Sequence, residues 1–213
     1  MKISDSFSGA ALSLVQRRRK VALLFIVFGT VSWAFLNDHH FPGRTYEQIT
    51  GTVGIVLIGV CVLGRVWCSW FISGRKKKEL VQEGPFSMSR NPLYMFSIIG
   101  ASGAGLTAGS IVLTILIFSS VLFVFNSVVT HEENFLLNQF GDKYILYCAT
   151  VPRWGIRMSS FSFYVEYFTN KPNGKLFLIS IRDSSLFLLC IPLFRAIDEV
   201  THTGFFRPVF ALY

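Results

Sequence analysis

The chain has 213 residues, of which 52% are hydrophobic and 15% charged, and it carries a formal net charge of +8. A composition this apolar excludes an ordinary soluble domain, and long apolar blocks without period-two alternation exclude a membrane β-barrel and imply spanning helices. The positive charge does not point to nucleic acid: it clusters beside apolar blocks, as Arg17-Arg18-Arg19-Lys20 and Arg75-Lys76-Lys77-Lys78, where the positive-inside rule places cytoplasmic loops near anionic headgroups.

The first apolar block, 21–36, follows a cation cluster and has no small-residue cleavage site after Leu36. It is expected to be a retained first helix with a cytoplasmic N-terminus, not a cleaved signal peptide. The second span is 51–72, with Trp67 and Trp70 near its end in an aromatic belt; it is interrupted by Arg65, which is expected to snorkel to the cytoplasmic face, the alternative being a pairing within a site. No charged residue occurs from Leu93 to Thr130, so two helices are expected, 93–107 and 110–129, turning at Thr107-Ala108-Gly109-Ser110. Gly100, Ala104, Gly105 and Gly109 offer small-xxx-small spacing for close helix packing. Four spans bring segment 83–94 and everything after Thr130 to one cytoplasmic face, where they can share a site.

Leu176 to Phe194 is apolar at both ends but holds Arg182-Asp183-Ser184-Ser185 in its middle. A charge at the bilayer centre costs about 2.5–3.5 kcal/mol on insertion scales, so an interfacial or protein-packed helix is expected ahead of a fifth span. The overall expectation is an all-α polytopic membrane protein with about four transmembrane helices. Residues 1–158 form its core, and 159–213 form a cytoplasmic or interfacial helical extension.

Cys61, Cys68, Cys148 and Cys190 show no CxxC spacing and read as structural thiols, and His39, His40, His131 and His202 share no ligand spacing, so no metal is expected. GASGAG lacks a preceding strand and the order of a dinucleotide-binding loop. Chemistry concentrates elsewhere. In Ser89-Arg90-Asn91-Pro92-Leu93-Tyr94, Asn91 is a good N-cap and Pro92 a good first helical residue, and a helix start beside Arg90 suits a ligand carboxylate. Thr130-His131-Glu132-Glu133 fits a capping box, which gives Glu133 a structural reading beside a functional one and leaves Glu132 freer to meet a ligand hydroxyl or ammonium. A helix stop at Gly141 and restart after Asp142 puts Tyr144 and Tyr147 on one face, either to anchor at the interface or to contact a cationic cofactor or amphiphile.

Glu83-Gly84-Pro85-Phe86 with Ser89-Arg90-Asn91-Pro92-Leu93-Tyr94 resembles the GPY…RHPxY signature of the isoprenylcysteine carboxyl methyltransferase and phospholipid methyltransferase superfamily. Glu132-Glu133, Leu136-Leu137, Phe140-Gly141, Tyr144, Tyr147 and Val151-Pro152-Arg153 resemble its EExxLxxxFGxxYxxYxxxVPR pattern. Asn91 stands where the familiar form has His, and Phe86 where it has Tyr.

The resemblance implies a membrane-embedded enzyme that encloses S-adenosylmethionine at the cytoplasmic face. Its acceptor, a prenylcysteine-like carboxylate or thiol or an aminolipid, enters from the bilayer. The implied cofactor segments are 83–94 and 131–154, with Glu83, Gly84, Pro85, Arg90, Asn91, Pro92, Tyr94, Glu132, Glu133 and Tyr144 around the cofactor. Arg90 and the helix start at Asn91 would hold the methionine carboxylate, and Tyr94 would line the pocket. Glu132 and Glu133 would take polar cofactor groups, with Glu132 and Arg153 the candidates for assisting the chemistry. The alternative is a non-catalytic scaffold or transporter-like protein of the same fold; the few intramembrane charges and the absence of a repeat of broken helices argue against transport.

Overall fold

The computed structural model describes residues 17, 19–32, 37–38, 44–76, 78–157, 172–202 and 210–211. His39, His40, residues 33–36 of the first expected span and the stretch 158–171 lie outside these, as does the side chain of His202. The architecture is all-helical: α1 (19–32), α2 (Arg44–Ile72), α3 (Pro85–Met88), α4 (Pro92–Thr107), α5 (Ile111–Phe140), α6 (Asp142–Thr150), α7 (Gly174–Ser185) and α8 (Cys190–His202), with a 3₁₀ turn Leu186–Leu189 joining the last two. The extended pairing among the described residues is a two-residue parallel ladder, Asn37–Asp38 with Phe210–Ala211.

Among the described residues three helical stretches are long and apolar enough to cross a membrane: Gln48–Ile72, Ile111–Phe140 and Gly174–Ile197. Their outer faces carry bare apolar side chains, with Leu63 73% and Phe123 79% exposed. Such faces have no place in water and suit lipid, where a helix satisfies its own backbone groups. The protein is an integral membrane protein. The last stretch, Arg182-Asp183 included, has the length and hydropathy of a span.

Helix α4 is the central piece. At 16 residues it is about 24 Å long, short of a hydrocarbon layer of about 30 Å. Lipid gives no hydrophobic drive between helices, so small residues and close backbone approach hold the bundle. A Cβ on Gly54 of α2 would stand 2.7 Å from the Gly103 carbonyl oxygen, and one on Gly105 would stand 2.7 Å from Thr114 Cα of α5. Gly100 and Gly105 therefore pack as the small-residue spacing predicts. Gly109 does not: its φ of +75° marks the turn before α5, with nothing near it. Along α5, Leu113, Ile117, Val121, Phe125 and Val129 recur every fourth residue and bury one seam against Tyr94 and Ile98 of α4.

The expected capping box at Thr130 does not form. Ser110 caps α5 by accepting from the Leu113 N–H at 3.2 Å, and the helix then runs unbroken to Phe140. Thr130 Oγ1 donates back to the Asn126 carbonyl at 2.9 Å, as it would inside any helix. The physical reason is that no glycine or proline interrupts the chain between Ile111 and Phe140, so a local capping signal loses to propagation. Gly141, φ +52°, is the first breaker, and α6 starts at Asp142 as expected.

Arg65 does not snorkel. Its Nε donates to Ser184 Oγ of α7 at 3.1 Å, its Nη1 donates to Ser97 Oγ of α4, and its guanidinium lies 5.6 Å from the Phe187 ring centroid. The cation thus ties three helices together inside the bundle, beside the backbone bond from Asn173 N–H to the Ser73 carbonyl and the Trp70–Phe177 edge contact at 5.3 Å. Trp70 is held by this packing as well as by its place near the end of the span.

Candidate active site

The two motif segments meet through their backbones. Arg90 N–H donates to the Pro152 carbonyl at 2.9 Å and Arg157 N–H to the Met88 carbonyl at 3.0 Å, which lays the strand-like end of one segment along the other. Tyr147 OH adds a third tie, donating to the Phe86 carbonyl at 2.6 Å. Burial raises the Tyr147 phenol well above its ordinary range, so it remains a donor at neutral pH.

Glu133 is the hub. Asn91 Nδ2 donates to its Oε1 at 3.1 Å, Arg90 Nη1 lies 3.6 Å from the same oxygen, and Arg153 Nε lies 3.2 Å from Oε2. Asn91 occupies the N-cap position of α4 as predicted, yet its side chain makes no cap bond and reaches Glu133 and the Arg153 carbonyl instead, the latter at 3.3 Å. Glu133 is therefore a cross-link between segments and no helix cap. Arg90 also donates to Cys148 Sγ at 2.6 Å, so that cysteine is more than a packing thiol. Burial works to lower the Arg90 pKa, but the Glu133 and Cys148 partners outweigh it and the net direction is up. The Arg90 Nε–H is buried with no hydrogen-bond partner among the described residues.

A cavity of about 230 Å³ opens beside this hub. Of the residues singled out from sequence, Phe86, Arg90, Asn91, Pro92, Leu93, Tyr94, Glu132, Glu133, Leu136, Tyr144 and Tyr147 line it. Glu83, Gly84, Pro85 and Arg153 stand behind the wall. Glu83 is clamped by Arg75 at 2.9 and 3.3 Å, and that hydrogen-bonded pairing pulls its carboxyl below the ordinary range. Gly84, φ +56°, starts α3 over the Phe71 ring, which a Cβ would approach to 2.6 Å, and Pro85 is fully buried behind it. Gly84→Ala is expected to cost about 1–3 kcal/mol from the backbone conformation alone. The clash with Phe71 adds to it, read as a lowered thermal midpoint of the detergent-solubilised protein. Arg153 backs the hub through Glu133 and Thr130.

Several lining residues had no signal in the sequence reading as site residues. Lys76, seen as part of a topology-setting run, reaches Glu132 at 3.3 Å. Glu79 and Phe135 line the cavity from the loop and α5, while Ser180 comes from α7, far along the chain. Arg19 of the N-terminal cation cluster donates to Tyr94 OH at 3.1 Å and lies 5.9 Å from its ring centroid. It braces a wall from behind. Among the described residues no three His, Cys, Asp or Glu side chains group as a metal site would need.

Residues 49–143 match the family model for phospholipid methyltransferases, a stretch that contains the cavity's charged wall. Over 87 residues, 39% of this chain and 36% of the relative, the protein is 37% identical to the protein-S-isoprenylcysteine O-methyltransferase of Schizosaccharomyces pombe. Over these stretches the chain is similar to the membrane methyltransferase superfamily. Two relatives match nearly end to end. The nickel-cobalt-cadmium resistance protein NccN of Alcaligenes xylosoxydans xylosoxydans is 28% identical over 92% of this chain and 90% of its own length. The cobalt-zinc-cadmium resistance protein CzcN of Cupriavidus metallidurans is 27% identical over 95% and 92%. No solved structure matches. The membrane methyltransferase match stops at residue 143, so Tyr144, Arg153 and Ser180 lie beyond it.

Proposed function

We propose that the protein is an S-adenosylmethionine-dependent methyltransferase acting on a lipophilic acceptor within the membrane, with its N-terminus and site at the cytoplasmic face. The observation that carries this reading is the cavity at the start of α4, whose wall brings together Arg90, Glu132 and the rings of Phe86, Phe135 and Tyr144. A guanidinium at a helix start suits a carboxylate. The residues present fit the donor molecule: Arg90 for its carboxylate, Glu132 for an ammonium or ribose hydroxyl, and Phe86, Phe135 and Tyr144 as apolar and aromatic walls. S-adenosylmethionine, when bound, supplies a methyl group on a sulfonium that transfers by in-line displacement.

The chain's own part is positioning and electrostatics. Glu133, engaged through both oxygens, holds Arg90 and Asn91 in place and is not free to act as a base. Glu132 is the remaining carboxylate of that motif at the cavity. Lys76 lies 3.3 Å from it and fixes its place at the cavity wall. Ile72, Leu93 and Ser180 come from α2, α4 and α7, so an acceptor with an apolar tail can approach along the membrane helices while its reactive head reaches the charged wall.

Titration calorimetry of S-adenosylmethionine into detergent-purified protein should show saturable binding, and labelled methyl groups should pass into one lipid class of a membrane extract. A folded protein that binds no S-adenosylmethionine in several lipid environments would remove the enzymatic reading. The names of the two end-to-end relatives favour metal resistance as the setting. Cells lacking the protein should then grow less well in cadmium, cobalt or nickel, with wild type restoring growth and the Arg90→Ala chain failing to do so.

A further inference from the structure

The run Gly174–Ile197 carries an ion pair that the methyl-transfer site does not use. Arg182 Nη2 lies 2.9 Å from Asp183 Oδ1, and the two side chains are 72% and 47% exposed. Arg182 stands about 12 Å along the helix from Gly174, at 1.5 Å per residue. The helix starts beside the end of α2, where Asn173 bonds Ser73. Ser184, on the opposite face, is fully buried and bonded to Arg65 of α2. The pair therefore sits inside the apolar run, about 12 Å from its start, facing outward. Charged side chains at that depth turn toward a bundle interior or pair with one another, because lipid solvates them poorly.

The spacing of the surrounding residues indicates what covers the pair. Ile179, Arg182, Leu186, Leu189 and Leu193 recur at alternating steps of three and four from α7 through the 3₁₀ turn Leu186–Leu189 into α8. The apolar members are 37%, 55%, 59% and 43% exposed, while Ser184 and Phe194 are buried. Alternating three-four spacing is the seam of a helix pair, and a polar residue within such a seam fixes register and partner number. Asp183 flanks the seam, where charges from the facing helix arrive. A cation in the seam with an acid beside it is self-complementary: a twofold axis along the membrane normal sets each Arg182 against the partner's Asp183. An unrelated partner would need a matching pair at the same depth, whereas a second copy has one by construction.

We propose that the protein forms a homodimer within the membrane through the exposed face of its C-terminal helix, sealed by reciprocal Arg182–Asp183 pairs. This does not depend on the methyltransferase reading. It also braces the helix that carries Ser180 to the cavity wall.

Full-length labelled protein, diluted in lipid vesicles and counted by single-molecule photobleaching, should bleach mainly in two steps. Arg182→Asp and Asp183→Arg, each alone, place like charges across the seam and should lower the dimer fraction roughly tenfold. Mixed together, the two variants recreate both opposite-charge contacts and should pair with each other. Circular dichroism of each variant reports that it is folded. Independently of these variants, a photo-crosslinking side chain in place of Leu189 should give a dimer-sized band in native membranes, and one in place of Leu188, off the stripe, should not. Single-step bleaching of the wild type at every density overturns the proposal. So does failure of the helical variants to rescue one another, crosslinking at Leu189 to a different protein, or equal crosslinking at both positions.

Discussion

Replacing Arg90 with alanine is expected to weaken S-adenosylmethionine binding by roughly a hundredfold or more, since hydrogen bonds to a charged partner contribute about 1.5–3 kcal/mol each and a guanidinium can offer two. The protein should stay folded. Glu133 keeps Asn91 at 3.1 Å and Arg153 at 3.2 Å when Arg90 is truncated, so the loss does not strand an unpaired carboxylate. The backbone tie from residue 90 to the Pro152 carbonyl also survives, because it uses the main-chain N–H. Arg90→Lys separates charge from geometry: it keeps the cation, loses the planar fork, and should bind with intermediate affinity. Arg153→Ala should cost less, since Arg153 touches Glu133 and Thr130 behind the wall. Titration calorimetry on the three variants, with helicity measured alongside, gives the ranking. An Arg90→Ala chain that binds as wild type does would place the carboxylate elsewhere in the cavity.

The parts of this molecule that sequence made legible are those where a local signal and the global fold agree. The uncharged block from Leu93 to Thr130 could only be buried or lipid-facing, and Pro92, Ser110 and Gly141 punctuate it where the helices begin and end. Thr130 shows the opposite case. Its capping pattern was chemically sound, but a cap needs a break in the helix before it, and α5 supplies none. The site divides in the same way. Two motifs name Arg90, Asn91, Tyr94, Glu132, Glu133 and Tyr144, and the structure gathers them around one cavity. Glu83, Gly84 and Pro85 belong to the same motif yet build the backbone behind it, through the Arg75 clamp and the close packing on Phe71. Lys76 and Ser180 were invisible, because a lysine in a basic run and a serine in an apolar helix acquire meaning only from what tertiary packing sets opposite them.

Arg65 offers the clearest test of how the bundle is held together, and two substitutions around it should act in the opposite order to what their chemistry suggests. Deleting the charge with Arg65→Met is expected to be close to neutral. Ser97 Oγ already donates to the Leu93 carbonyl at 2.8 Å and Ser184 Oγ to the Ser180 carbonyl at 2.7 Å, so neither hydroxyl is orphaned when the guanidinium leaves. A methionine of similar length refills the space without a desolvation cost, and replacing buried charges by apolar groups is often neutral or stabilising. Removing the two small hydroxyls, Ser97→Ala with Ser184→Ala, should by contrast destabilise by about 3 to 5 kcal/mol, because it strips a buried cation of its two acceptors and leaves it in low dielectric. The Phe187 ring remains but cannot replace both. Adding Arg65→Met to the double variant should restore most of the loss, since the cost lies in the stranded charge and not in the missing hydroxyls. Unfolding in mixed detergent micelles, followed by helicity, measures all three. If Arg65→Met proves the most damaging, the guanidinium contributes net binding between α2, α4 and α7. If the double serine variant is the worst and is rescued, the serines are present to make a buried cation tolerable, and its reason for being there lies in fixing which helices meet.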